Sequence, residues 1–143
     1  MKKKSLINLS FRINKLILKK GKLSKINLIL DKVYLLLSKS LKDNPLVILD
    51  QAISNIMPIF LLNNKKIGKR IIISPTFILS DYSRKGIGIK WIVEAAYKRS
   101  GSFSNNLSLE ILEAFNNRGS VKKRQKDLNI AVLVNKSNLK YRW

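Results

Sequence analysis

The sequence predicts a mainly α protein, a six-helix body with one β-hairpin protruding between the third and fourth helices. Three observations predict it. Apolar residues recur at helical spacing, most clearly Ile26, Ile29, Leu30, Val33, Leu36, Leu37 and Leu41, which lay one buried stripe along a helix. Residues 59–79 change character, with β-prone runs at Ile59–Leu62, Ile71–Ile73 and Phe77–Leu79 around a polar turn holding Gly68. A chain of 143 residues, 45% of them apolar, is long enough to bury a core in one domain.

Residues 1–9 read as a basic N-terminal tail and residues 10–143 as a single domain without repeats or linkers. Ser10 is placed to cap a short helix bearing Phe11, Leu16 and Ile17 that ends near Gly21. Ser24 begins the strongly periodic second helix. Asp43-Asn44-Pro45 signals the third, with Pro in its first turn, and Leu46, Leu49, Ile53, Ile56 and Met57 form its apolar face until Pro58 ends it. The hairpin follows over about 59–79, and Pro75, which lacks a backbone donor, makes its strand an edge or a projection. Ser83–Arg99 reads as a helix whose start lies open between Ser83 and Ile87, because Gly86 and Gly88 each cost about 1 kcal/mol against Ala in a helix interior. Ser104 opens the fifth helix, with Leu107, Ile111, Ala114 and Phe115 inward, and Gly119 stops it. Ser120 caps the sixth, with Leu128, Ala131, Val132, Asn135 and Leu139 as its inner face.

Charge narrows the function. Twenty-nine Lys and Arg face eight Asp and Glu, a formal +21. Residues 1–25 hold nine bases and no acid, residues 26–64 three of each, and residues 65–143 seventeen bases and five acids. A neutral middle with basic ends describes a packed body wearing cationic surfaces, whose self-repulsion a polyanion would offset. Nucleic acid is the commonest such partner. There is no Cys and no His, which removes thiolate ligands, the commonest general base and the usual metal-binding imidazole. No metal or cofactor is expected. Gly86-Ile-Gly88 lacks the third glycine of a dinucleotide loop, and Gly68-Lys69 lacks the Ser or Thr of a phosphate loop. Asp50, Glu94, Glu110 and Glu113 show no catalytic pairing, with Glu110 and Glu113 read as neighbours on a solvated helix face. The chain is therefore not expected to be an enzyme. No apolar run approaches the ~18 residues of a membrane span. Met1–Phe11 is a poor signal peptide and a somewhat better organelle presequence.

The basic clusters are the candidate contacts: Lys2, Lys3 and Lys4; Lys20, Lys22 and Lys25; Lys65, Lys66, Lys69 and Arg70 at the hairpin tip; Arg84, Lys85 and Lys90; Lys98 and Arg99; Lys122, Lys123, Arg124 and Lys126. Aromatics accompany three of them, as Trp91, Tyr97 and the terminal Tyr141-Arg142-Trp143. Arg and aromatic faces stack on unpaired RNA bases, although Trp91 reads as core rather than platform. Lys outnumbers Arg 22 to 7, a codon trace of an AT-rich genome.

Two segments carry more than charge. Lys90-Trp-Ile-Val-Glu-Ala-Ala-Tyr-Lys-Arg-Ser100 resembles the Arg-Trp-Ile-Val-Glu-Ala-Ala-Arg-Lys-Arg stretch of bacterial-type small-subunit ribosomal protein seven. Gly119-Ser-Val-Lys-Lys-Arg-Gln-Lys-Asp-Leu128 resembles that family's Gly-Thr-Ala-Val-Lys-Lys-Arg-Glu-Asp run, one residue shorter here. Lys20-Gly21-Lys22, Pro58, Lys65-Lys66-Ile67-Gly68, Pro75, Asn135-Lys136 and Tyr141-Arg142-Trp143 follow in family order. The resemblance implies a structural component of the small ribosomal subunit that binds the 3′ major, or head, domain of small-subunit rRNA and nucleates head assembly. It further implies a hairpin near the tRNA exit site and the mRNA path, beside neighbouring small-subunit ribosomal proteins. No membrane and no homo-oligomer is implied, and Arg142 and Trp143 join the RNA-binding residues. The family's longer Arg-rich arm, with its Pro-Asp-Pro segment, is replaced by Met1–Leu9; Tyr97 replaces an Arg; Ser83-Arg-Lys-Gly-Ile-Gly-Ile-Lys90 stands for Arg-Arg-Asn-Ala-Leu-Ala-Met-Arg. With the AT-rich trace, the expected location is a mitochondrial ribosome, with plastid or bacterial cytoplasm as alternatives. A DNA-binding helical protein would also explain the charge but would want a helix-turn-helix unit. A basic membrane-surface protein would have to expose the apolar faces that the core needs.

Overall fold

A computed structural model describes residues 2–18 and 20–140. Among them are six α-helices and one antiparallel two-stranded hairpin. Helix α1 runs Lys2–Ile17, α2 Leu23–Leu41, α3 Pro45–Ile56; strands β1 Phe60–Ile67 and β2 Arg70–Phe77 follow; then α4 Asp81–Lys98, α5 Phe103–Phe115 and α6 Gly119–Val134, with a 3-10 turn at Lys136–Lys140. This is the expected architecture. Buried apolar side chains from all six helices join in one cluster, with α5 packed against α2, α3 and α4.

Several boundaries differ from expectation. Lys2–Leu9 is helical rather than a tail, and Ser10 lies inside α1 instead of capping it. The reason is a stripe at spacing four: Leu9, Ile13 and Ile17 are all buried and hold α1 against the body. The helix stops before Lys20 and Gly21, which turn the chain at φ 53 and 70. In α2 the buried residues are Ile26, Leu30, Val33 and Leu37. The start of α3 follows its signal, since Asn44 Oδ1 accepts from the Leu46 N–H at 3.1 Å and Pro45 occupies the first turn. Its buried face is Ile48, Leu49, Ala52, Ile53 and Ile56, and Leu46 and Met57 are only half-buried.

Helix α4 starts at Asp81 and passes through both glycines. A Cβ on Gly88 would meet Ile53 Cγ2 at 3.6 Å and the Met57 Cα at 3.7 Å, so α3 and α4 cross closely there and packing outweighs the propensity cost. Trp91 is buried in the core as expected, 6% exposed. Gly119 begins α6 rather than ending α5, and Arg118, not Ser120, is the residue before its first turn.

Helix α6 departs most. Of its side chains only Val121 is buried; Leu128, Ala131, Val132 and Asn135 are half-buried and Leu139 is exposed. The expected inner face does not enter the body, because α6 leaves it to pack beside β1, while the 3-10 turn packs beside β2. Asn138 Nδ2 donates to the Ile73 carbonyl at 3.0 Å, and Gln125 Nε2 to the Met57 carbonyl at 3.2 Å. The hairpin therefore has a backing. Its register pairs Phe60 with Phe77 and Ile67 with Arg70, leaving Gly68-Lys69 as the loop. Gly68 at φ 59 supplies the left-handed position that a two-residue hairpin loop needs.

Candidate nucleic-acid interface

The structure divides the predicted contact residues by what they already touch. Lys20, Lys22 and Lys25 are exposed around the α1–α2 turn, Lys66, Lys69 and Arg70 at the hairpin tip, Lys98 at the end of α4, and Lys123 and Lys126 on α6. These nine form no ion pair among the described residues. Lys65 is half-buried in β1. Lys90 is exposed and has only a loose contact with Glu94, at 3.9 Å. Lys2, Lys3 and Lys4 fall on the first turn of α1, and Arg142 and Trp143 lie outside the described residues.

The other predicted cations are engaged inside the protein. Lys85 Nζ donates to Asp50 Oδ1 at 2.6 Å, tying α4 to α3. Arg84 donates from Nε to the Pro58 carbonyl at 3.1 Å and from Nη1 to Asp81 Oδ1 at 3.0 Å, which fixes the base of the hairpin. Lys122 Nζ donates to the Asn55 carbonyl at 2.7 Å. That carbonyl belongs to the last turn of α3, whose orphan acceptors and negative dipole end favour a cation. Burial, then the charge of Lys126, lowers the Lys122 ammonium below its ordinary pKa. Arg124 Nη1 reaches Glu94 Oε2 at 2.7 Å, with its guanidinium 4.9 Å above the Trp91 ring. Trp91 is thus covered by the protein's own cation.

Arg99 is the most committed. Its Nε donates to Glu110 Oε1 at 2.5 Å and its Nη2 to Glu113 Oε2 at 2.6 Å. Glu113 first, then Glu110, raises the Arg99 pKa further above its ordinary value. Glu110 is 2% exposed, so the expectation of a solvated acidic face is corrected: one of the two carboxylates is buried and requires its partner. Ser120 Oγ also donates to Glu110 Oε2, at 3.4 Å. The group therefore joins α4, α5 and the start of α6 and aims the Lys123–Lys126 turn. No periodicity announces it, because its members lie eleven and fourteen residues apart across a turn.

The structure also brings in cations that sequence reasoning left out. Arg12 and Lys15, three apart on α1, face the first half of α4. Their spacing was a readable signal, since residues three apart share a helix face.

The division makes a prediction. Changing Lys123 and Lys126 together to Gln is expected to weaken RNA binding and lower the slope of log affinity against log salt by roughly 2. Lys122→Met is expected to lower stability by about 1–2 kcal/mol through loss of its charged hydrogen bond, with little change in that slope. Titrations at several salt concentrations, paired with denaturant melts, separate the two; the reverse pattern would refute the assignment.

Among the described residues, no group of His, Cys, Asp and Glu is placed to hold a metal, and no helix is long and apolar enough to cross a membrane.

Comparison with known proteins gives the arrangement a setting. Residues 3–132 match the family described as ribosomal protein S7p/S5e. The chain is 33% identical over 103 residues to small ribosomal subunit protein uS7 of Bradyrhizobium sp. (strain BTAi1), which covers 71% of this chain and 65% of that protein. It is 32% identical over 109 residues to the uS7 protein of Nitrobacter winogradskyi and 31% over 109 residues to that of Rhodopseudomonas palustris (strain TIE-1), each covering 76% of this chain and 69% of the relative. The chain thus spans just under two thirds of the length of the Bradyrhizobium relative.

Proposed function

The chain belongs to the ribosomal protein S7p/S5e family, and from that premise we propose that it is a structural, non-enzymatic component of the small ribosomal subunit, binding the 3′ major domain of its rRNA. The observation that carries the reading is the match over residues 3–132, which includes every predicted cation of the described body except Lys2. The mechanism is electrostatic and geometric. Six helices sharing one core form a rigid frame, and exposed cations on separate elements neutralise phosphates of RNA helices that would otherwise repel. Such a frame fixes the junction of those helices and so nucleates assembly of the subunit head. The contacts we assign to it are Lys2–Lys4, Lys20, Lys22, Lys25, Lys90, Lys98, Lys123 and Lys126, with Arg142 and Trp143 at the end of the chain. Residues 10–143 act as one RNA-binding unit, in single copy.

Lys65, Lys66, Lys69 and Arg70 crowd the hairpin tip without an acid between them. That charge supports a reach toward tRNA at the exit site and the nearby mRNA. The backing of the hairpin by α6 and the 3-10 turn supports an orientation held before the RNA arrives. Exposed Ile71 and Phe77 on β2 suit a neighbouring small-subunit protein. We assign the chain to a mitochondrial ribosome on its Lys-rich, Arg-poor composition; cell fractionation separates that from plastid or bacterial cytoplasm.

Co-sedimentation tests the function directly. The tagged chain is expected to sediment with the small subunit and to bind a 3′-domain rRNA transcript in preference to duplex DNA. Preference for duplex DNA would favour a helical DNA-binding protein instead, and absence from the subunit would refute the ribosomal reading.

A further inference from the structure

We propose that the cleft between α1 and α4 holds one unpaired nucleotide of the RNA partner, its phosphate among Arg12, Lys15 and Lys90 and its base on the ring of Tyr82. The inference rests on the RNA-binding reading above and adds a base-stacking site that charge alone does not supply.

The cleft is open, about 400 Å³ in volume, and its polar lining is Arg12, Lys15, Tyr82, Ser83 and Lys90, with Gly86 also on its wall. No lining residue is acidic. Arg12 is held in place: Nη1 donates to the Tyr82 carbonyl at 2.6 Å, and the guanidinium carbon lies 3.5 Å from the centre of the Tyr82 ring. A stacked guanidinium fixed at one N–H keeps its remaining donors for a phosphate, and it loses less side-chain freedom on binding than an unanchored Arg. Tyr82 is 65% exposed even with Arg12 on it, so its ring also meets solvent. Lys90 is 64% exposed, and among the described residues its acidic neighbour, Glu94, is at 3.9 Å. Lys15 lies 5.0 Å from the ring centre of Phe11, itself exposed. Cations beside an exposed aromatic ring match the two parts of a single-stranded nucleotide, an anion and a flat π face.

Gly86 is what gives the guanidinium its room. A Cβ built on it would lie 2.5 Å from Arg12 Nη2, so Ala would require the guanidinium, the mobile end of its side chain, to shift. Glycine inside α4 costs helix stability, and nothing else among the described residues approaches that position so closely.

The test uses the full chain, a 3′-domain rRNA transcript and affinities measured across a salt series, with circular dichroism on each variant. Tyr82→Leu is expected to lower affinity about 5- to 150-fold, the range of one lost base stack, with the salt slope unchanged. Lys15→Gln and Lys90→Gln are each expected to reduce the slope by roughly 1. Gly86→Ala leaves the charge unchanged and favours the helix, yet is expected to weaken binding by displacing Arg12. Wild-type affinity in both Tyr82→Leu and Gly86→Ala, with normal salt-dependent binding by the unmodified chain, would overturn the cleft and leave the RNA-binding reading standing. Failure of the unmodified chain to bind the transcript would overturn that reading itself.

Discussion

Raising the salt from ~50 to ~200 mM is expected to lower the affinity for 3′-domain rRNA on the order of 10³–10⁵-fold, if six to ten phosphates are neutralised as the duplex-DNA rule describes. The structure makes that number of contacts attainable. Nine of the predicted cations are exposed and form no ion pair among the described residues. They occupy the α1–α2 turn, the hairpin tip, the end of α4 and one turn of α6. A plot of log affinity against log salt gives the number of counterions released. A flat plot would refute the electrostatic mechanism. A slope near that of one or two phosphates would confine binding to a single cluster.

Arg99→Ala is expected to cost about 3 kcal/mol, the lower end of the range for breaking a buried ion pair. The lower end applies because Arg99 is itself one-third exposed, whereas the Glu110 it leaves behind is 2% exposed. Without the guanidinium, the Glu110 carboxylate keeps, among the described residues, the long contact from Ser120 Oγ. For a chain of this length that loss corresponds to a fall in Tm of about 10 °C. Replacing the pair together, Arg99→Met with Glu110→Leu, is expected to recover much of it, because no buried carboxylate is left stranded, and Glu113, which also loses the guanidinium, is one-third exposed to water. Lys98→Gln, next door and exposed, provides the contrast: an unchanged Tm and a reduced salt slope. If Arg99→Ala instead left Tm unaltered and lowered only the slope, Arg99 would be an RNA contact and the ion-pair account would fail.

Much of the fold was legible because the information was local. The apolar spacing in 26–41, the Asn44-Pro45 start and the Gly68 turn each depend on residues within a few positions. The structure contains each: α2 with its buried stripe, Asn44 capping α3, and Gly68 at φ 59. Two local readings misled. The glycines of α4 were weighed by propensity alone, yet Gly88 is where α3 approaches and Gly86 is where Arg12 lies. Residues 1–9 were weighed by the charge of Lys2, Lys3 and Lys4, and the spacing of Leu9, Ile13 and Ile17 was passed over.

The candidate interface was legible as charge but not as geometry. Trp91-Ile-Val-Glu-Ala-Ala96 identified the family from a handful of positions. The same residues say nothing about Arg124 folding over Trp91. Neighbours in sequence also part company: Lys122 caps α3 while Lys123 faces solvent, and Arg99 is locked to α5 while Lys98 is not. Adjacent helical residues point about 100° apart, and which direction meets a partner depends on elements dozens of residues away.

Composition, period and motif by themselves determined that this chain is a six-helix body with a hairpin, that it carries +21, a charge whose self-repulsion a polyanion would offset, and which family it joins. These are sums over residues or patterns within a helix turn, and they hold before any two elements meet. Only the tertiary structure decided which cations are available to that polyanion. Arg84, Lys85, Arg99, Lys122 and Arg124 were brought against carboxylates and backbone carbonyls from other parts of the chain. Arg12 was brought onto Tyr82, seventy residues away in sequence. A charge is a property of a residue, but its availability depends on what stands within ~4 Å of it, and that is set by packing.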